Sequence, residues 1–200
     1  MSNPSGNGRH VSSAAKTSPH SRLLAIAALV VAAAALAGSL ALSLALSLRA
    51  CPLCFYQRTF AMSLVAVLGM GLLLDIGGGG RLSLLALPLA TGGLGVAAFH
   101  VYLELSGALE CPAGLFGLGT APQQSLFIFA VLFALLAMDS AGADSSVAWG
   151  AFRIAQAGAV ALGGLLVVAS LVANPPMPEA KPYSGPPDIC RPPYRAPSSH

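Results

Sequence analysis

The chain has 200 residues, of which 56% are hydrophobic and only 8% are charged. Charged side chains usually make up about a quarter of a soluble domain, so this composition excludes an ordinary water-soluble globular protein and indicates a membrane protein. The formal net charge is only +3, and neither a basic cluster nor an aromatic platform suggests nucleic-acid binding.

The chain contains several uncharged apolar runs, and a helix needs roughly 20 such residues to cross a bilayer. Three spans are predicted at 23–48, about 59–74 and 82–103. The run at 122–138 is short and predicts either a fourth span or a segment that only dips into the membrane. The run at 154–173 predicts a further span, which ends at Asn-Pro-Pro because proline breaks helices. The predicted fold class is therefore an all-α integral membrane helical bundle.

Three regions are predicted along the chain. Residues 1–22 are rich in Ser, Gly and Asn and contain basic but no acidic residues, so they predict a disordered tail on the cytoplasmic side. The helical bundle is expected over 23–173, and a Pro-rich tail that carries Cys190 over 174–200. If the fourth segment spans, all four cysteines lie on the outer face, where disulfides persist. If it only dips, Cys190 stays inside.

The stretch CPLCFYQR begins with two cysteines, Cys51 and Cys54, at the spacing typical of a redox-active dithiol. Arg58 follows Cys54 by four residues, so both share a face if the second helix begins here. A nearby cation lowers a thiol pKa and holds the thiolate. The alternatives are an inert cysteine pair and an arginine that reaches for the lipid headgroups.

The reducible molecules dissolved in a bilayer are quinones. Cys54 is therefore predicted to pass electrons to a quinone, and Arg58 to stabilise the negative charge that develops on a quinone oxygen.

Zinc is a competing interpretation of the first cysteine pair. A structural zinc site needs four ligands, usually two such pairs or one pair with histidines. Neither Cys111 nor Cys190 has a Cys or His at suitable spacing, and three of the histidines lie in the terminal regions. No metal site is predicted from this ligand spacing.

The stretch CPLCFYQR resembles the DsbB family of membrane thiol oxidases, which carry Cys-X-X-Cys after the first transmembrane helix with Gln-Arg just beyond. Cys51, Cys54 and Arg58 fall where that family has its first cysteine pair and its quinone-associated arginine. The resemblance implies a bundle of four such helices, whereas the apolar runs of this chain allow five spans with an outward Pro-rich tail.

A second stretch, FHVYLEL at 99–105, resembles the end of the family's third helix. The resemblance implies that His100 lies near the quinone or a proton path, although an interfacial histidine is an equal alternative. Cys111 falls where the family has the first cysteine of its second pair. In the family both cysteines of that pair share one loop, whereas Cys190 follows two more apolar segments here. Two interpretations therefore stay open: Cys111 pairs with Cys190, or Cys190 is unpaired.

The resemblance implies a membrane protein-dithiol:quinone oxidoreductase. A DsbA-like periplasmic partner would reduce the Cys111–Cys190 disulfide, and the electrons would pass through Cys51 and Cys54 to ubiquinone or menaquinone. All four cysteines are thus predicted catalytic residues, and Arg58, Cys54 and His100 are predicted to bind the quinone.

The implied location is the bacterial inner membrane, among lipids, with a cytoplasmic N-terminus and periplasmic cysteines. The Pro-rich tail is expected to be extended but not folded. Two alternatives are a non-catalytic membrane subunit with structural disulfides and an enzyme like vitamin K epoxide reductase. In the latter family the quinone-facing pair comes late in the bundle, so the early position of Cys51 argues against it.

Overall fold

The computed structural model describes residues 19–45, 47–75, 80–142, 149–176, 182, 185 and 187–194. The helices are α1 Pro19–Ala45, α2 Pro52–Leu73, α3 Arg81–Leu105, α4 Ala121–Ala141 and α5 Trp149–Val172. Each contains a segment long and apolar enough to cross a membrane. Within the described ranges the chain is otherwise loop, one short 3-10 turn and isolated β-bridges, with no β-strand. The predicted all-α membrane bundle is confirmed.

The fourth predicted segment is longer than its apolar core suggested. Helix α4 begins after Thr120, which forms a capping box with Gln123, and Pro122 occupies the first turn, where proline is tolerated. The helix reaches Ala141, so its 21 residues are enough for a span by length and composition.

Helix α2 begins at Pro52, seven residues before the apolar run that marked the second span. Cys51 precedes it in an extended conformation, and its side chain accepts a hydrogen bond from the Cys54 backbone N–H. A proline at the first helical position and a side-chain cap both favour a helix start. The Cys-X-X-Cys sequence therefore forms the first turn of α2, and Cys54 and Arg58 are one turn apart on the same helix.

Helices α1 to α4 form a closed ring in which each contacts its two neighbours, and α5 packs against α3. The ring has an apolar core, in which Leu64, Leu87 and Leu132 are fully buried. Helix α3 approaches its neighbours closely at glycines, since a Cβ added to Gly93 would run into the ring of Phe129 on α4. Small residues allow this approach where helices meet in lipid.

One end of the bundle carries all four cysteines, and we call it the cysteine end. The α1–α2 connection, the α3–α4 connection and the chain after α5 meet there. Glu110 and Arg191 exchange two backbone hydrogen bonds of 2.8 and 3.1 Å, and the Arg49 N–H donates to the Asp188 carbonyl at 2.8 Å. Residues 187–194 are thus held between two loops by backbone hydrogen bonds. The rest of the tail that was predicted to be extended but not folded lies largely outside the described residues, at 177–181, 183–184 and 186.

The opposite end has a buried polar contact between three helices. The Ser83 hydroxyl on α3 donates to the Asp139 carboxylate on α4, and Gln156 on α5 donates to the Ser140 hydroxyl at 3.0 Å. Asp139 is only 5% exposed, so the hydrogen bond from Ser83 offsets part of the cost of burying its carboxyl.

Candidate active site

The first cysteine pair lies at the start of α2. Cys51 and Cys54 are thiols, their Sγ atoms are 2.9 Å apart, and the Cys54 N–H is 3.2 Å from the Cys51 sulfur. Cys51 is fully buried, whereas Cys54 is partly exposed. The helix start therefore holds one sulfur inside the protein and leaves the other accessible.

The second pair joins two distant parts of the chain. Cys111 in the α3–α4 connection forms a disulfide with Cys190, 79 residues later. The neighbouring Glu110 and Arg191 are the residues that exchange backbone hydrogen bonds, so the pairing of the two segments aligns the cysteines. This disulfide agrees with the pairing implied by the family resemblance.

His100 lies between the two pairs. Its Nε2 is 3.5 Å from the Cys111 sulfur and 3.8 Å from the Cys51 sulfur, and its Nδ1 is 3.3 Å from the Gln57 side-chain nitrogen. His100 is completely buried and Gln57 is only 6% exposed. A buried imidazole that contacts a sulfur of each pair can hold or move a proton between them.

Gln57 was not predicted as a site residue. A signal was present in the sequence, because Gln57 is the glutamine of the Gln-Arg that the resembled family carries just beyond its first cysteine pair. The sulfur atoms of Cys51, Cys54 and Cys190 and a ring nitrogen of His100 all lie within 4.8 Å of one another. The two pairs therefore form a single cluster.

The surroundings of Cys51, which precedes the α2 span, favour its thiolate. A hydrogen bond from the Cys54 side chain, assisted by the nearby His100 and by the Cys54 backbone N–H, lowers the pKa of the Cys51 thiol from 9.0 to about 5, although burial acts in the opposite direction. A thiol with such a pKa is largely ionised at neutral pH, and the thiolate is the form that attacks disulfides.

A cavity of about 360 Å³ lies beside the cluster, between α1, α2 and α4. Its walls are mostly apolar and include Cys54, Gln57, Arg58 and Cys190. The walls formed by the described residues do not include His100, which faces the sulfurs instead. Of the residues predicted to bind a quinone, the cavity therefore brings together Cys54 and Arg58.

Arg58 is held in the cavity wall by α1. Its guanidinium donates to the Ser39 hydroxyl at 3.1 Å, the Ser39 carbonyl at 3.0 Å and the Ser43 hydroxyl at 2.8 Å. These contacts leave the charge at the cavity rather than at the lipid surface. Ser39 and Ser43 were not predicted, although their i, i+4 spacing places both on one face of α1.

The chain was also compared with known proteins. The family model described as "Disulfide bond formation protein DsbB" matches residues 21–173, which cover all five helices except the first residues of α1. No curated protein and no solved structure matches the chain. Cys190 lies beyond the matched residues, yet it completes the second cysteine pair.

A match over this share of the chain, together with a cysteine pair at the start of α2 and a second pair beside it, identifies the family: the protein belongs to the DsbB family of disulfide bond formation proteins.

Proposed function

We propose that this protein oxidises the dithiol of a soluble, DsbA-like thioredoxin-fold partner and passes the electrons to a membrane quinone. One observation carries the proposal: Cys51, Cys54 and Cys190 have their sulfurs within 4.8 Å of one another, beside a cavity whose wall holds Arg58. Sulfurs at this spacing can exchange disulfide bonds after small movements, because exchange requires only that a thiolate reach a disulfide sulfur.

The first half of the cycle reduces the second pair. A thiolate of the partner attacks Cys111 and forms a mixed disulfide, and Cys190 leaves as a thiolate. The partner's other thiolate then breaks the mixed disulfide, so the partner departs oxidised and Cys111 is left as a thiol. Two electrons and two protons have moved from the partner to Cys111 and Cys190.

The second half returns the disulfide to the second pair. The Cys190 thiolate attacks Cys51 of the oxidised first pair, and Cys54 leaves as a thiolate at the cavity wall. Cys111 then attacks Cys190 and releases Cys51. The products are a Cys111–Cys190 disulfide and two thiols at Cys51 and Cys54, which is the bonding present in the structure.

His100 is proposed to serve the protons of this exchange. Its Nε2 is within 3.8 Å of both Cys51 and Cys111, so it can take the proton from one thiol as that sulfur becomes a nucleophile. Nε2 can accept this proton only while the ring's own proton is on Nδ1, so the Gln57 side chain beside Nδ1 would turn its amide oxygen toward that N–H and fix the orientation of the imidazole.

The cavity suits a quinone headgroup. Its volume of about 360 Å³ lies within the range of small-molecule sites, roughly 300 to 1,000 Å³, and apolar walls with a few polar groups are typical of them. Ubiquinone or menaquinone would supply an acceptor for two electrons and two protons. Cys54 would deliver the electrons at the wall, and Arg58 would stabilise negative charge at the acceptor oxygen.

The proposed location is a bacterial inner membrane, with the cysteine end in the periplasm and the N-terminus in the cytoplasm. Two arguments support it: basic residues without acidic ones precede α1, and a working disulfide relay needs an oxidising compartment.

The test is quinone reduction by the purified full-length protein in detergent. Reduced DsbA is supplied with short-chain ubiquinone or menaquinone, and wild type is compared with Cys190→Ser. We expect wild type to turn over with at least one quinone and Cys190→Ser to be inactive, because the second pair cannot reform. Equal turnover by Cys190→Ser refutes the role of the second pair, and an inert wild type refutes the proposed activity.

A further inference from the structure

We propose that the fully reduced protein binds Zn²⁺ through Cys51, Cys54, Cys190 and His100. The spacing of ligands along the sequence argued against a metal site, but the fold brings together donors from three separate parts of the chain. The proposal does not depend on the partner or on the quinone, because it concerns a binding equilibrium of this chain alone.

The distances between the donor atoms fit a tetrahedral site. With Zn–S bonds of about 2.3 Å and Zn–N bonds of about 2.0 Å, the sulfurs lie about 3.8 Å apart and each sulfur lies about 3.5 Å from the nitrogen. The Cys51 sulfur is 3.8 Å from His100 Nε2 and 2.9 Å from the Cys54 sulfur. Since all four donors lie within 4.8 Å of one another, movements of about 1 Å close the site.

The donor set is also the one that zinc prefers. Three thiolates and one imidazole make a Cys₃His site, which is a common structural zinc centre. Cys51 and His100 are completely buried and Cys190 is 2% exposed, so water competes poorly for the metal. Cys190 rather than Cys111 is the fourth ligand. The Cys190 sulfur lies within 4.8 Å of each of the other three donor atoms.

The site forms only after the second disulfide is broken. A dithiol or phosphine reductant supplies two electrons to the Cys111–Cys190 bond, and two protons complete the thiols. Zn²⁺ then binds the sulfurs of Cys51, Cys54 and Cys190 as thiolates and displaces the protons that remain on them. His100 binds through Nε2 when its proton is on Nδ1, and a rotated Gln57 amide can accept that proton in a hydrogen bond; such outer partners orient metal-bound histidines.

Metal binding would stop disulfide exchange. The bound ion would hold three of the four sulfurs as ligands, and a coordinated thiolate is not available to attack a disulfide. Zn²⁺ would thus trap the fully reduced protein until the metal is removed or the thiols are oxidised.

The experiment uses full-length protein without an affinity tag in detergent, reduced with a phosphine under nitrogen and freed of excess reductant. Co²⁺ is titrated first, since its absorption distinguishes tetrahedral thiolate sites from octahedral ones, and Zn²⁺ is then added to displace it. We expect about one equivalent of tetrahedral Co²⁺ in the reduced protein and none in protein with both disulfides formed. Binding by both forms, or by neither, overturns the proposal.

Four variants identify the ligands. We expect Cys190→Ser and His100→Ala to weaken binding by at least about tenfold, and His20→Ala, an exposed histidine at the start of α1, to bind like wild type. Cys111→Ser removes the second disulfide and leaves Cys190 as a thiol. This variant should therefore bind the metal when the first pair alone has been reduced. Unchanged binding in Cys190→Ser and His100→Ala, in variants whose helical circular dichroism matches wild type, overturns the assigned site. Because neither quinone nor partner is present, these results are independent of the proposed oxidase activity.

Discussion

Cys51 and Cys54 lie within the first turn of one helix, whereas Cys111 and Cys190 are 79 residues apart and come from a loop and from the tail after α5. The first pair needs only a helix start, since the Cys51 side chain caps α2 and Pro52 begins it. The second pair needs the α3–α4 connection and the tail to reach the same end of the bundle. The two pairs nevertheless meet around a single buried histidine.

This contrast shows which parts of the proposed thiol relay are local and which depend on the fold. The family match ends at residue 173, before Cys190, so the matched residues contain the first pair and only half of the second. The tail segment at 187–194 supplies the missing sulfur because backbone hydrogen bonds at Arg49 and Glu110 hold it in place. A cysteine outside the matched residues can therefore complete a cysteine pair whose other member lies inside them, provided that the chain returns to the same end of the bundle.

The largest expected effect is the loss of activity when either pair is broken, together with a difference in protein stability between variants of the two pairs. Both Cys54→Ser and Cys111→Ser should abolish turnover with reduced DsbA and quinone. Cys111→Ser should also destabilise the protein, by up to about 4.5 kcal/mol, because it removes a crosslink that closes a loop of about 80 residues. Cys54→Ser should change stability by less than about 1 kcal/mol, since Cys51 and Cys54 are thiols in the structure.

Thermal unfolding in detergent, with wild type in the same disulfide state, measures this difference. A Cys54→Ser variant as unstable as Cys111→Ser would show that the first pair has a structural role and would remove the contrast between the pairs.

The second prediction concerns the cavity beside the first pair. Arg58→Met should raise the KM for quinone by at least about tenfold and leave the KM for the partner unchanged, since a hydrogen bond to a charged group contributes about 1.5–3 kcal/mol. Replacing Ser39 and Ser43 together by Ala should have a smaller, severalfold effect, because the Ser39 carbonyl still holds the guanidinium. Arg81→Gln, at the exposed start of α3, is the matched control.

Steady-state kinetics with quinone and partner varied separately give the two KM values. If Arg58→Met raised the KM for quinone and the KM for the partner equally, the substitution would be acting on the whole fold rather than on the cavity.

The third prediction is a pH dependence that belongs to the first pair alone. The pKa of the Cys51 thiol is lowered from 9.0 to about 5, so its thiolate absorbance in the reduced protein should titrate near pH 5. A lowered pKa stabilises the folded, reduced protein fully above pH 9, progressively less below it, and no longer once the pH falls through 5.

Cys54→Ala removes the largest cause of the lowered pKa, so the Cys51 midpoint should move upward toward 9.0. Ultraviolet thiolate absorbance measured from pH 4 to 9 tests both statements, because this range runs from below the lowered pKa of Cys51 to the ordinary pKa of a thiol. An unchanged midpoint in Cys54→Ala would mean that the Cys54 side chain does not stabilise the Cys51 thiolate.

The smallest expected effect concerns the ion pairs that accompany the tail. Asp188 lies 4.0 Å from Arg49 and 3.7 Å from Arg191, and its side chain is 52% exposed. Exposed ion pairs contribute about 1 kcal/mol or less, so Asp188→Asn should speed reduction of the Cys111–Cys190 disulfide by a small thiol less than about fivefold. Asp75→Asn, in the turn after α2, is the matched control. A much larger change would assign the anchoring of the tail to charge rather than to its backbone hydrogen bonds.

Several features were predictable because their signals are local. Apolar runs gave the membrane class, and the Cys-X-X-Cys sequence with Arg58 gave the family. The second span was placed from about residue 59, later than the start of α2 at Pro52, because hydropathy excludes polar residues such as Gln57 whereas the backbone needs only a cap and a proline to begin a helix. The fourth segment was ambiguous for a similar reason: its capping box and uncharged first turn extend the helix beyond its apolar core.

The sequence by itself determined the membrane class, the dithiol and its cation, because hydrophobic length and short spacings act within one segment. Only the tertiary structure decided that His100 lies between the two pairs, that Arg58 is held by serines of α1, and that Cys190 reaches Cys111. These contacts join residues from different helices and loops, and spacing along the chain carries no information about which segments meet in space.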